Sequence, residues 1–255
     1  MKVIALSAAL AMRLAAQPAV NAVALADDAL KAARAAIGAK LSTLQSLSLW
    51  GADHRGAQAS EMTLTIDLSG KYLKEQSTLS SGGQVERVGG DGAVGGGMPG
   101  DEGGPAFSLG LTEGYDGDDY WTRNGAGSGK STFVANLVRY VVALTLSAPA
   151  GYPVAFTYGS RLDSPQGPLD ALEGKGPGGF LIHLYLDAKT HLPVTMVYHQ
   201  GGQEIQLWLK DYKAEEGIRF PHTMAWLSGG SLVEEFQIQH FKVNPKLRSD
   251  KFRHR

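Results

Sequence analysis

Phe180-Leu181-Ile182-His183-Leu184-Tyr185-Leu186 puts Phe180, Ile182, Leu184 and Leu186 on one face of an extended chain, because successive side chains of a strand point to opposite sides. Such alternation marks a strand with one buried and one wet face. Asp187 to Pro193 breaks the pattern and Val194 to His199 resumes it, so the two runs read as a hairpin with an irregular connection. Gly201-Gly202 makes the next turn, and Glu204 to Asp211 sets Ile205, Leu207 and Leu209 against Gln206, Trp208 and Lys210. Glu215-Glu216-Gly217 then leads into Ile218 to Leu227, a strand that Pro221 is expected to delay. After Gly229-Gly230, Leu232 to Phe241 places Leu232, Glu234, Phe236, Ile238 and His240 on one face. Five alternating runs joined by short turns predict an antiparallel meander with one apolar side.

Upstream, Leu30, Ala33, Ile37, Leu41 and Leu44 recur at helical spacing behind Asp28, a residue suited to capping a helix, with Gly38 as a weak point in the middle. From Ser46 to Leu79 the period returns to two, with Met62, Leu64, Ile66 and Leu68 alternating with Thr63, Thr65 and Asp67. Residues 82–104 are dense in glycine and poor in large apolar residues, which predicts a mobile loop, either a flap over a cavity mouth or a surface insertion. Thr132 to Leu146 reads as a second amphipathic helix, with Asn136 and Arg139 on the side away from its apolar stripe and Pro149 and Pro153 ending it. The segment 151–179 reads as a Gly- and Pro-rich connector with one strand at Val154 to Tyr158. Together these elements predict a mainly β, α+β domain.

A net charge of -1 and a pI near 6.7 give no electrostatic footprint for nucleic acid or an anionic membrane surface. The absence of cysteine excludes disulfides, cysteine-ligated zinc and a thiol nucleophile. Lys2, the apolar run Val3 to Met12 and the small-x-small triplet Ala24-Leu25-Ala26 predict a signal peptide over residues 1–26 and one mature domain over 27–255, periplasmic or secreted. Arg13 interrupts the apolar run, and an Ala-rich helix at the domain edge is the alternative reading. No later apolar stretch reaches the ~20 residues a membrane span needs.

Gly125-Ala126-Gly127-Ser128-Gly129-Lys130-Ser131-Thr132 looks like a phosphate-binding loop, but Asn124 stands where that pattern needs glycine and no βαβ units follow. It reads as a glycine-rich turn before a helix, with a nucleotide-binding loop as the remote alternative. Asp116-Gly117-Asp118-Asp119 lacks the further acidic ligand of a calcium loop and reads as a polar turn. The histidines include no pair at zinc-ligand spacing, although His183 and His199 could approach across their hairpin. No nucleophile elbow is present, so no catalytic residue, metal or cofactor is assigned.

Three phrases carry a family resemblance: Leu-Asp-Ala-Lys-Thr-His-Leu-Pro-Val (186–194), Asp-Tyr-Lys-Ala-Glu-Glu-Gly-Ile-Arg-Phe-Pro-His (211–222), and Val-Asn-Pro-Lys-Leu (243–247) with Phe252. In this order, behind an N-terminal helix, strands and an inserted helix, they resemble the LolA-like outer-membrane lipoprotein-sorting proteins and their secreted relatives. The resemblance implies a strongly curved, unclosed antiparallel β-barrel lidded by the two helices, with an apolar cavity for acyl chains. The inward positions expected to line that cavity are Leu64, Ile66, Ile182, Leu184, Leu207, Met224, Trp226, Phe236 and Ile238. The function so implied is a periplasmic, non-enzymatic carrier of a hydrophobic ligand such as lipid or the acyl chains of a lipoprotein. An envelope interaction or sensor module with a solid core is the alternative, and an enzyme using Lys130 or a hidden triad is a third class.

Overall fold

The computed structural model describes residues 19–79, 107–108, 110–248 and 250–254. The glycine-rich segment 82–104 and residues 1–18 of the expected signal peptide lie outside them. The chain runs through α1 (Ala19–Ile37), β1 (Ser46–Arg55), β2 (Gln58–Asp67), β3 (Lys71–Leu79), β4 (Phe107–Ser108), β5 (Thr112–Tyr115), β6 (Tyr120–Arg123) and α2 (Lys130–Thr145). It continues with β7 (Ala155–Ser164), β8 (Gly167–Lys175), β9 (Leu181–Asp187), β10 (Pro193–Gln200), β11 (Gln203–Glu215), β12 (Ile218–Ser228) and β13 (Ser231–Val243).

All thirteen strands form one antiparallel sheet in the order β6-β5-β3-β2-β1-β13-β12-β11-β10-β9-β8-β7, with β4 beside β3. The end strands β6 and β7 do not pair with each other, so the sheet is unclosed. The meander inferred from alternation is the run β9 to β13, in which each strand pairs with the next. Register carries one inward row across it: Glu234 opposite Trp226, then Leu207, Met196, Leu184 and Leu172.

The expected strand at Val154 to Tyr158 is the first half of β7, and the rest of the stretch read as a connector completes with β8 a hairpin around Gly167, whose φ of 125° suits glycine. Alternation is weak there because β7 is an end strand with most of its side chains half-buried or exposed. Pro221 does not delay β12; it pairs with Tyr212 inside a strand that already starts at Ile218. Gly38 ends α1 instead of weakening its middle: its φ is 138°, and a Cβ there would lie 2.5 Å from the Gly217 carbonyl. Likewise α2 stops at Leu146, which takes a left-handed conformation and donates its N–H to the Val142 carbonyl, before Pro149 is reached.

Both helices cover the sheet's apolar face. Ala22, Ala26, Leu30, Ala33 and Ile37 form the buried stripe of α1, which packs against β7 and β12. Helix α2 buries Phe133, Leu137, Val138, Val141 and Val142. Arg34 of α1 donates to the Leu146 carbonyl at 2.5 Å, fastening the C-terminal end of α2. The expected cleavage point after Ala26 falls within α1, and Asp28 is an interior residue of that helix, not its cap.

The sheet must curl. Tyr140 of α2 has ring centroids of both Tyr72 on β3 and Trp226 on β12 at 5.9 Å. Those strands are four places apart in the sheet, about 19 Å if it were flat. Only a concave face brings both rings to one tyrosine. A slip in register between Trp50 and Gly51, where β1 meets β13, lets the backbones approach closely: a Cβ on Gly51 would sit 2.0 Å from the Gln237 carbonyl oxygen. Gly51→Ala is therefore expected to destabilise the fold by about 1–3 kcal/mol or more, since the obstacle is backbone and not a movable side chain. Urea unfolding of the variant beside wild type measures it.

Candidate functional site

Two cavities flank α2. The inner one, about 470 Å³, lies between the helix and the concave face, and the outer one, about 920 Å³, lies between the helix and the corner at Gly178 to Leu181. Both fall in the size range of ligand pockets.

The inner cavity is half aromatic and half polar. Tyr72, Phe133, Tyr140, Tyr198 and Trp226 supply rings, joined by Leu207 and Ile205. Tyr72 and Phe133 pack with centroids 4.7 Å apart, and burial pushes the Tyr72 and Tyr140 hydroxyls well above the ordinary tyrosine range. The polar side is a set of charges from β1, β3, β5 and β13. Arg55 pairs with Glu234 at 2.8 Å and with Asp53 at 3.5 Å, and Gln76 Nε2 donates to Asp53 Oδ2 at 2.8 Å. Lys74 stands opposite Glu113 in the β3–β5 register, and burial pulls its pKa down.

Glu113 also organises the glycine-rich loop. Its Oε1 accepts from the Ser128 amide at 2.6 Å, the Ser128 hydroxyl at 2.7 Å and the Tyr120 hydroxyl at 2.8 Å. Gly127 is needed because a Cβ would lie 2.0 Å from the Tyr120 hydroxyl. The donors that a phosphate-binding loop would aim at its nucleotide are thus directed at a carboxylate of this chain. Lys130 Nζ donates to the Asp118 carbonyl at 2.5 Å, on the exposed side. The Asp116 turn is built by its own Oδ1, which accepts from the Asp118 and Asp119 amides at 3.1 and 2.9 Å.

Of the expected lining residues, the structure brings Leu207 and Trp226 to the inner cavity. Leu64, Ile66, Ile182, Leu184, Met224, Phe236 and Ile238 face inward and are buried in the continuous core around it, touching neither cavity. The charged wall was not anticipated, although Glu234 falls on the apolar face of its strand in the alternation pattern. Arg139, expected on the far side of α2, instead turns inward: its guanidinium lies 3.9 Å from the Tyr198 ring centroid and 5.9 Å from that of Phe180. His183 sits opposite Val197 in the hairpin, and His199 is exposed two residues further along β10, so the two do not face each other. Among the described residues no cluster of acidic or histidine side chains is arranged to hold a metal ion.

No family model matches the sequence, and no curated protein is similar to it. Solved structures with a similar course include a domain named for outer membrane lipoprotein sorting from Vibrio parahaemolyticus, with 12% identity, 92% of this chain and 97% of that one covered, and a TM-score of 0.48. A LolA superfamily protein from Nitrosomonas europaea matches with 10% identity, 90% and 97% coverage and a TM-score of 0.49. A DUF1329 family protein from Desulfovibrio piger follows with 12% identity, 90% and 97% coverage and a TM-score of 0.45. Two of these carry the lipoprotein-sorting or LolA name that the turn phrases of the sequence resemble. At such scores they decide nothing about function, and the cavities must carry that argument.

Burial, reinforced by nearby Glu234, pushes the Asp53 carboxyl up to about 6, against the opposing pull of Arg55, Lys74 and the Gln76 hydrogen bond. The folded protein then holds this proton more tightly than the unfolded chain, whose carboxyl titrates near 3.8. Stability is therefore expected to rise as pH falls through about 6 toward 4 and to be lower above it, since the native state binds more protons in that window. Asp53→Asn should flatten this dependence, read as urea midpoints across the same pH range.

Proposed function

We propose that this chain is a non-enzymatic carrier or binder of a hydrophobic ligand, lipid or the acyl chains of a lipoprotein, working in the periplasm. The observation that supports this best is that α2 spans the concave face of an unclosed sheet with a cavity on either side of it. An apolar tail entering there gains about 0.8 kcal/mol per buried methylene, and the mixed lining offers partners to a polar head. The helix that covers the site is held by a few polar ties at its ends, through Arg34 and the Glu113 loop, and by apolar contact along its middle.

A second reading, an interaction module with a solid core, is favoured by the dense packing of Leu64, Ile66, Ile182, Leu184, Met224, Phe236 and Ile238 outside both cavities. A neutral apolar dye separates the two. The carrier should bind it saturably near one equivalent with its fold intact, and Trp226→Asp, which places a charge in the inner wall, should cut that binding at least about tenfold. Absence of saturable binding, repeated after exposure to membrane extracts, would favour the interaction module.

Periplasmic location rests on the signal-like N-terminus. Cleavage after Ala26 would leave Leu30, Ala33 and Ile37 docked and set Asp27 and Asp28 at the positive end of the shortened helix. N-terminal sequencing of protein from an envelope fraction should therefore begin at or near Asp27; an intact Met1 would sink this placement. Among the described residues no helix is long and apolar enough to cross a membrane.

A further inference from the structure

We infer that the outer cavity binds a single-chain fatty acid, with its carboxylate on Arg139 and its tail along the apolar floor between α2 and the corner at Gly178 to Leu181. This deepens the carrier reading and rests on it.

Arg139 is the residue that both cavities share. Its guanidinium is partly buried, and the partners that hold it are neutral: Nη1 donates to Asn136 Oδ1 at 2.9 Å and to Gln200 Oε1 at 3.2 Å, while two aromatic rings lie against it. Its Nε is buried with no hydrogen-bond partner. Burial lowers its pKa, and the opposing influences come from the Tyr198 and Tyr152 hydroxyls, with no carboxylate among them. A desolvated cation with an unused donor and no carboxylate partner among the described residues is a costly arrangement, and an oxyanion would relieve it. By contrast, Arg55 in the inner cavity already holds Glu234 and Asp53.

The outer cavity repeats the same asymmetry over its whole surface. Among the described residues no aspartate or glutamate lines it, and its ionisable side chains besides tyrosine are Lys130, Arg139 and His199. The floor and walls are apolar, with Val134, Ala135, Phe180, Leu181, Tyr152 and Pro177. Leu181 is 40% exposed, one of the few large apolar side chains left open to water. Lys130 is engaged with the Asp118 carbonyl and lies over the Tyr115 ring, so Arg139 is the cation with a donor still unused. One such guanidinium matches one monoanion, and a dianionic phosphate would bring a second charge that nothing else in the lining is free to offset.

The experiment is calorimetric titration of the full chain with dodecanoate, dodecyl phosphate, dodecyl maltoside and dodecyltrimethylammonium, each below its micelle concentration. Dodecanoate should bind at about one equivalent and at least about tenfold more tightly than the neutral and cationic amphiphiles. Arg139→Gln should erase that preference, bringing dodecanoate to the level of dodecyl maltoside, and Lys130→Gln should weaken it less. Leu181→Asp, at a position 40% exposed, should abolish dodecanoate binding, with a far-UV spectrum like that of wild type as the check on folding. Equal binding of dodecanoate and dodecyl maltoside, unchanged in Arg139→Gln, would overturn the inference and leave the carrier reading standing. Tighter dodecyl phosphate would overturn the choice of carboxylate, and dodecanoate binding that survives Leu181→Asp would overturn the choice of cavity. Failure of every amphiphile and of the neutral dye would bring down the carrier reading itself.

Discussion

Tyr140 meets Tyr72 on one side and Trp226 on the other, and much of the architecture follows from that double contact. It can form only if the sheet curls enough to bring β3 near β12, and it can persist only if α2 stays in the resulting trough. A sheet of this many strands that curls without joining its ends has a concave apolar face larger than its own side chains can fill. Two helices cover it incompletely, and the gaps left along α2 are the two cavities. Curvature, lid and hollow are therefore one solution to a single burial problem.

The inner wall shows how that hollow tolerates charge. Asp53, Arg55, Lys74, Glu113 and Glu234 occupy inward positions, and each position would be costly if its neighbours were apolar. They lie together on strands that are close in the sheet, so acid and base offset one another, and Gln76 and Ser128 satisfy remaining acceptors. Asp53 keeps one buried oxygen without a partner, which is consistent with the upward displacement of its carboxyl.

The fold was legible where one local rule decides the outcome. Period-two runs between glycine turns gave the meander β9 to β13, and helical spacing gave α2 to within a few residues of its ends, whereas α1 starts at Ala19, well before Asp28, and stops at Ile37, short of Leu41 and Leu44. Of the β7–β8 hairpin only the strand at Val154 to Tyr158 was legible, because an end strand buries little on either face and so loses its alternation. The site was harder to see. Glu234 acquires its meaning from Arg55, 179 residues away, and a lone acidic residue in an apolar row gives no hint of that partner. Arg139 follows the same logic: helical spacing places it opposite the apolar stripe, yet a long side chain can turn back over Tyr198 when the sheet rises beside the helix. The expected lining residues are all buried, and their types give no means of telling filled core from hollow, since both are built of the same residues.

The position of α2 also constrains how any ligand could enter. Lifting the helix would expose Phe133, Leu137, Tyr140 and Val141, all nearly or fully buried, and would break the Tyr140 contacts that hold the trough together. At roughly 25 cal/mol per Å² of apolar surface, that exposure costs several kcal/mol unless something apolar takes its place. Movement of the helix by itself is therefore disfavoured. The outer cavity escapes this constraint, because its open side is bounded by the turn at Gly178 and Gly179, whose φ values of 65° and 78° mark a corner outside the regular ladder. If the carrier reading holds, an amphiphile would occupy that side of α2 with the helix in place, without first breaking the Tyr140 contacts.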